Sequence, residues 1–406
     1  MNLLQKDTIE EIKKKALPVI IFGSRSVAEA LFYACQEVGI KVDCFCDNNI
    51  NRTKNPVCGL KVIYTPYLRN KYKDAIFLIS AADIKDAVEQ LYNLGFSKWY
   101  PSNLLLKNFN VYKYPLSYPA DFVKYTIETC ILCHENFLNS DKVFLRSVDI
   151  IVTERCSLKC KDCSNLIQYY KNPKDCDTKE ILKSIDAFCN IIDEVNEFRI
   201  PNGEAFMNKE VHLIIKRLID EPKVYRIVIY TNGTILPSKE QVEYLKDKKI
   251  LFIITDYGKL STKIDTLTRK LADNNIAFYV QKAQGWTDCA KIDRHYRSIK
   301  EAKEIFKNCC AKNTFTISDG KLYRCPFSAN AFRLKAVPDY KDDYINFIKE
   351  IEDNKAISEI KEKIKKFILE KEFLQTCDFC NGRSFSDPEI TPAIQIKKPL
   401  DYIPYV

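Results

Sequence analysis

The chain has 406 residues, 46% hydrophobic and 29% charged, a globular composition long enough for two or three domains and unlike a disordered chain. No apolar run approaches the roughly eighteen residues of a membrane span, and Met1 to Asp7 hold no signal-peptide core, so a cytoplasmic protein without membrane insertion is expected. The net charge of +9, from 63 basic and 54 acidic residues, includes no basic block and points away from nucleic acid as the partner.

The first hundred residues alternate strand and helix. Residues 18–22 form a short apolar strand turned by Gly23, and a helix follows with Val27, Leu31, Ala34 or Cys35, and Val38 on one face. Strands are expected at 41–46, ending before Asp47, at 60–63 and at 75–80, with an amphipathic helix from Ala82 to near Gly95. This order predicts a small Rossmann-like parallel sheet over residues 1–108. Residues 109–147 read as a linker with one helix, whose Cys130 and Cys133 are core packing.

From Val148 the alternation resumes with longer units. Strands are expected at 148–153, 197–201, 225–230, 250–255 and 276–281, so residues 148–308 predict a partial parallel (β/α)6 barrel of the TIM type, with its chemistry at the C-terminal strand ends. Residues 309–390 then change to a hairpin turning at Ser318-Asp319-Gly320, a charged helix over 342–373 and a last cysteine pair, an α+β unit. Residues 391–406 read as an extended tail.

Seventeen cysteines accompany only three histidines, which excludes most histidine-based zinc and triad chemistry. In a reducing compartment clustered cysteines bind metal more often than they pair. Cys156, Cys160 and Cys163 stand at i, i+4 and i+7 directly after the first barrel strand. Three thiolates on one loop suit an iron-sulfur cluster with one iron left open, whereas structural zinc wants a fourth ligand. Glycine is scarce, 10 residues, yet Asn202-Gly203-Glu204, Thr231-Asn232-Gly233 and Thr255-Asp256-Tyr257-Gly258 place three of them just beyond successive strands.

These residues resemble the radical SAM superfamily over residues 148–308. The resemblance implies that Cys156, Cys160 and Cys163 hold a [4Fe-4S] cluster and that Asn202, Gly203 and Glu204 hold the amine of S-adenosylmethionine. It also places Thr231, Asn232, Thr255 and Asp256 by its ribose and carboxylate. Two departures stand out: Asp162 replaces the aromatic residue that usually precedes the third cysteine, and the Gly-Gly-Glu-Pro segment has lost its first Gly and its Pro. The implied activity is reductive cleavage of S-adenosylmethionine to a 5′-deoxyadenosyl radical that takes hydrogen from an unactivated carbon. Reduced flavodoxin or a ferredoxin-type protein is the implied electron donor.

Cys310-x9-Gly320-x4-Cys325 with Cys377-x2-Cys380 resembles the twitch domain, the shortened relative of the SPASM domain, and implies one auxiliary [4Fe-4S] cluster that passes electrons. Cys309 is the alternative first ligand, and zinc the rival occupant of a four-cysteine site. The N-terminal segment resembles Rossmann-like domains attached to sugar-modifying enzymes of surface-glycan pathways. Gly23, Ser24 and Arg25 at a helix start would take an anion and Asp47 a ribose hydroxyl. The expected substrate is therefore a sugar or nucleotide-sugar, changed by oxidation, dehydration or epimerisation, with Cys289 as a hydrogen donor. A peptide-modifying enzyme is the alternative, and a zinc-stabilised binding scaffold is the reading without catalysis.

Overall fold

A computed structural model describes residues 6–14, 17–139 and 141–405. The chain divides into two compact units, residues 1–142 and 143–406. Among the described residues no helix is long and apolar enough to cross a membrane.

The first unit is a five-stranded sheet of β1 (Val19–Phe22), β2 (Cys44–Asp47), β3 (Val62–Tyr64), β4 (Ile76–Ile79) and β5 (Trp99–Pro101). All pairs are parallel, in the order β3-β2-β1-β4-β5, so the strand order reverses between β1 and β4. Short, wholly apolar strands suit a sheet covered on both faces. Val19 and Ile21 point into one core with Leu31 and Cys35 of the helix Ser26–Glu37, while Ile20 and Phe22 point into another with Ala87 and Leu91 of the helix Ile84–Asn93. β5 has no forecast in the sequence, because three residues are too few to show a period. The helix Ala120–Leu138 packs Val123, Ile127 and Cys130 into the first of these cores. It belongs to this unit and is not a linker element, and its apolar stripe explains why Cys130 is fully buried.

The second unit is one eight-stranded sheet made of β6 (Phe144–Ile150), β7 (Glu194–Ile200), β8 (Val224–Thr231), β9 (Ile250–Asp256), β10 (Ala277–Lys282), β11 (Phe315–Ser318), β12 (Lys321–Tyr323) and β13 (Tyr344–Ile345). Its order is β10-β9-β8-β7-β6-β11-β12-β13. β10 through β11 are parallel, and β12 and β13 add antiparallel. Helices Thr178–Ile191 and Val211–Ile219 cover one face, burying Phe188, Ile214 and Ile215 against Val148, Phe198, Ile200, Ile227 and Ile229.

Two expectations are corrected. The predicted separate domain at 309–390 shares this sheet and core, because β11 pairs with β6 and Phe315, Ile317, Ile345 and Ile364 join the same apolar cluster. The charged helix over 342–373 is instead a short strand, a helix Phe347–Glu352 and a helix Ile357–Glu370. Asn354 takes a left-handed φ of 57° between the two helices, where a continuous helix cannot run. The β11–β12 hairpin turns on Asp319 and Gly320, both at positive φ, the pattern of a type I′ turn. A Cβ on Gly320 would meet Ile348 Cγ1 at 2.6 Å, so this position demands glycine twice over.

Candidate active site

The parallel register of β6 to β9 brings four loops to one edge of the sheet. The loop after β6 carries Cys156, Cys160 and Cys163; those after β7, β8 and β9 carry Glu204, Asn232 and Tyr257. Cys156, Cys160 and Cys163 lie in one apolar cluster with Leu158, Tyr257, Leu260 and Trp286. Burial pushes all three thiols up, that of Cys163 to about 11, and their neighbouring charges add to the shift at Cys156 and Cys163. Hydrogen bonds also reach the sulfurs: Asn232 Nδ2 donates to Cys156 at 3.6 Å and Gln395 Nε2 to Cys160 at 3.3 Å. Among the described residues no three His, Cys, Asp or Glu side chains close on a single point as ligands of one metal ion would.

Beside the thiols Glu204 is fully buried. Its carboxylate accepts from Thr231 Oγ1 at 2.8 Å and from the Asn232 N–H at 3.0 Å, and its own N–H donates to the Arg155 carbonyl at 2.8 Å. Burial outweighs these two donors and pushes the Glu204 carboxyl up to about 7. Gly203 has φ +63°, and a Cβ there would meet the Arg155 carbonyl oxygen at 2.3 Å and the Thr153 carbonyl at 3.0 Å. Only glycine lets this strand end run so close to the cysteine loop. Asn202 donates to the Thr153 carbonyl at 3.1 Å and accepts from Asn330 Nδ2 at 3.2 Å, while Asn330 Oδ1 stays buried without a partner. Asp256 is used locally, accepting from the Gly258 N–H at 2.7 Å, and the Thr255 carbonyl accepts from Ser261 at 3.3 Å.

A second cysteine group lies at the end of the helix Ile299–Asn308 and the start of the helix Pro326–Arg333. The charge of Cys309 is felt at Cys325, Cys377 and Cys380, whereas that of Cys310 is among the main influences on none of them. Backbone N–H groups donate to sulfur at Cys309 (from Ala311), Cys325 (from Ser328) and Cys380 (from Gly382), each at 3.4 Å. Cys310 is influenced instead by Arg383, Cys309 and Cys289. Cys309, the alternative first ligand, is therefore the candidate first member of this set in place of Cys310. If this group holds a metal, alanine at Cys309 is expected to lower the metal content and alanine at Cys310 to leave it unchanged, as iron and sulfide analysis of each purified variant would show. Cys289 is half-buried and within electrostatic range of Cys163 on one side and of Cys309, Cys310 and Cys380 on the other.

In the first unit the predicted anion and ribose residues are engaged with one another. Both oxygens of Asp47 are used, by Ser24 Oγ at 2.5 Å, the Asn49 N–H at 2.8 Å and Arg52 at 3.1 Å. Ser26, at the helix start after Gly23, is buried against Thr126 of the helix Ala120–Leu138 at 3.0 Å, while Arg25 is exposed. Sequence reasoning missed Arg52 and Thr126, and also missed Gln395, Tyr257 and Trp286 beside the thiols. The aromatic residues after β9 and β10 were visible as loop residues, but nothing in their spacing tied them to the cysteine loop.

Three cysteines on one loop and a buried carboxylate thus lie together at the C-terminal ends of a parallel α/β sheet, a donor set that suits a soft metal. Residues 150–318 match the family model described as the Radical SAM superfamily, whose enzymes use S-adenosylmethionine and a [4Fe-4S] cluster. The chain is similar to a GTP 3′,8-cyclase of Clostridium acetobutylicum, 29% identical over 153 residues, 36% of this chain and 45% of that protein. It is also similar to molybdenum cofactor biosynthesis protein 1 of Dictyostelium discoideum, 28% identical over 169 residues, 41% of this chain and 23% of that protein. It thus spans less than half the length of these relatives. Among solved structures, BtrN in complex with AdoMet and 2-DOIA aligns over 59% of this chain and 93% of its own, at 17% identity and a TM-score of 0.37, a likeness too loose to argue from.

Proposed function

We propose that this chain cleaves S-adenosylmethionine reductively and takes hydrogen from a polar small molecule of the sugar or nucleotide-sugar class. The observation that carries the reading is Glu204, a buried acid whose carboxylate is held among the described residues by the neutral donors of Thr231 and Asn232, lying beside three thiols. An ammonium group on the ligand would supply the charge that this carboxylate lacks. When bound, the cluster and S-adenosylmethionine supply one-electron cleavage of a carbon–sulfur bond, releasing methionine and a 5′-deoxyadenosyl radical that abstracts hydrogen from the substrate.

The protein's own residues would do the rest. Cys156, Cys160 and Cys163 hold the cluster, and Gly203 opens the backbone beside it. Thr231 and Asn232 aim Glu204, and Tyr257 and Trp286, packed edge to face at 6.0 Å, keep water from that side. Cys309, Cys325, Cys377 and Cys380 would hold a second cluster, which would pass on electrons from a flavodoxin-type or ferredoxin-type donor. Cys289, between the two cysteine groups, is placed for hydrogen donation if the product is an epimer.

On the sheet face opposite the helices the polar side chains are buried or half-buried and engaged with one another. There Arg199 Nε donates to Asp149 at 2.6 Å, Ser147 donates to Glu197 at 2.6 Å, and the Arg199 guanidinium lies 5.8 Å from the Tyr230 ring centre. The engaged Asp47 likewise speaks against a nucleotide held in the first unit, so the substrate class rests on the assay that follows. With anaerobically reconstituted protein, dithionite and S-adenosylmethionine, nucleotide-sugars are expected to raise the yield of 5′-deoxyadenosine and peptides are not. A rise with peptides alone would overturn the substrate class. Iron-loaded protein that forms no 5′-deoxyadenosine under any condition would overturn the activity itself.

A further inference from the structure

The extended segment read as a tail is a third strand-like partner of the cysteine loop. The Ile390 N–H donates to the Trp286 carbonyl at 2.8 Å, the Lys161 N–H to the Ile394 carbonyl at 2.7 Å, and the Ile396 N–H to the Lys159 carbonyl at 2.9 Å. Cys160 and Gln395 thereby form an antiparallel bridge pair, and residues directly opposite in such a pair project to the same side. That register is why the Gln395 amide reaches the loop. Its Oε1 accepts from the Lys159 N–H at 2.8 Å, and its Nε2 donates to Cys160 Sγ at 3.3 Å and to the Ala393 carbonyl at 2.8 Å.

Several contacts hold the segment to this register. Ala393 is buried against Leu158 and Cys160 at a left-handed φ of 57°, a conformation alanine keeps only where its surroundings enforce it. Further on, the Leu400 N–H donates to the Gln168 carbonyl at 2.9 Å, Tyr402 OH to the Leu334 carbonyl at 2.8 Å, and the Tyr405 N–H to the Lys335 carbonyl at 2.7 Å.

Resting on the reading that Cys160 ligates the catalytic cluster, we propose that Gln395 is a positioning residue that raises the reduction potential of that cluster. Reduction adds negative charge that spreads onto the thiolate sulfurs. An N–H donated to one of them therefore stabilises the reduced state more than the oxidised one. The strap also removes water from one side of Cys160, which is 8% exposed. Asn232 gives a comparable bond to Cys156 but serves Glu204 as well, whereas Gln395 touches the site through sulfur and loop backbone only.

The test is a redox titration of the catalytic cluster, followed by electron paramagnetic resonance, in the full-length holoprotein and its Gln395→Leu and Gln395→Glu variants. Gln395→Leu keeps the bulk and removes the donor. The ratio of reduced to oxidised cluster at a fixed poise is expected to fall about tenfold, or about 59 mV for a one-electron couple. Gln395→Glu keeps the acceptor for the Lys159 N–H but sets a negative charge beside sulfur, and its ratio is expected to fall further. Variants that load the cluster fully and titrate at the wild-type potential would overturn the proposal. A variant that loads no cluster would also overturn it, by making Gln395 a purely structural residue. Wild-type protein with no cluster on Cys156, Cys160 and Cys163 would instead sink the underlying reading of the site.

Discussion

Replacing Cys156, Cys160 and Cys163 together by alanine is expected to leave a folded protein that has lost about four irons and forms no 5′-deoxyadenosine above the buffer control. The fold should survive because the three side chains belong to the small cluster around Leu158 and Trp286, and not to the main core of the sheet. The loss of chemistry should be complete because the remaining thiol of the loop, Cys176, is taken up by Arg333 at 3.4 Å. Burial holds the three thiols in the protonated form at neutral pH, that of Cys163 titrating only at about 11. Iron must therefore displace their protons, so cluster loading should be favoured as pH rises. Iron and sulfide content, with chromatographic assay of 5′-deoxyadenosine, measures both effects. A triple variant that keeps its full iron content and still cleaves S-adenosylmethionine would place the cluster elsewhere.

Glu204→Gln is expected to bind S-adenosylmethionine about a hundredfold more weakly, the order of effect seen when a buried charge pair loses one partner. The pH dependence gives a second readout. The folded-state carboxyl titrates at about 7 against 4.5 for the free group, so the folded protein holds this proton more tightly than the unfolded chain. The stability linked to it is fully present below pH 4.5 and is lost as pH rises through 7. A shift of this size corresponds to at most about 3 kcal/mol. Without ligand, the wild-type melting temperature should therefore fall between pH 5 and 8 more steeply than that of Glu204→Gln. Ligand binding should run the other way and tighten over the same window, since the ammonium pairs with the ionised carboxylate. Calorimetric titration at pH 6 and pH 8 separates the two proteins. Equal affinities in both would remove Glu204 from the ligand site.

The comparison between Cys309 and Cys310 shows how far spacing can reach. Either residue satisfies the interval to Gly320 and Cys325, and the choice falls to the extended backbone of Cys309 as it leaves the helix Ile299–Asn308. Neighbouring side chains on extended backbone point apart, which makes Cys309 and Cys310 alternatives as partners of Cys325, Cys377 and Cys380. Asp47 teaches the same lesson from the other side. Its place after β2 suits a ribose hydroxyl, yet Ser24 and Arg52 occupy it from segments whose convergence no local pattern reports.

The features that the sequence alone determined are those set within a few residues. The parallel strands follow from runs of apolar residues, the Asp319-Gly320 turn from backbone sterics, and the cysteine loop and Asn202-Gly203-Glu204 from their positions just after strands. Parallel pairing then lines up the strand ends, so motifs far apart in the chain share one edge without further instruction. Tertiary structure alone decided the partners of those motifs. It joined residues 315–318 to β6, packed the helix Ala120–Leu138 into the first unit, and laid Gln395 on Cys160, 235 positions apart in the chain. Such pairings depend on which surfaces remain uncovered once the sheet has formed, and that is a property of packing over the whole unit, with no periodic trace in the residues themselves.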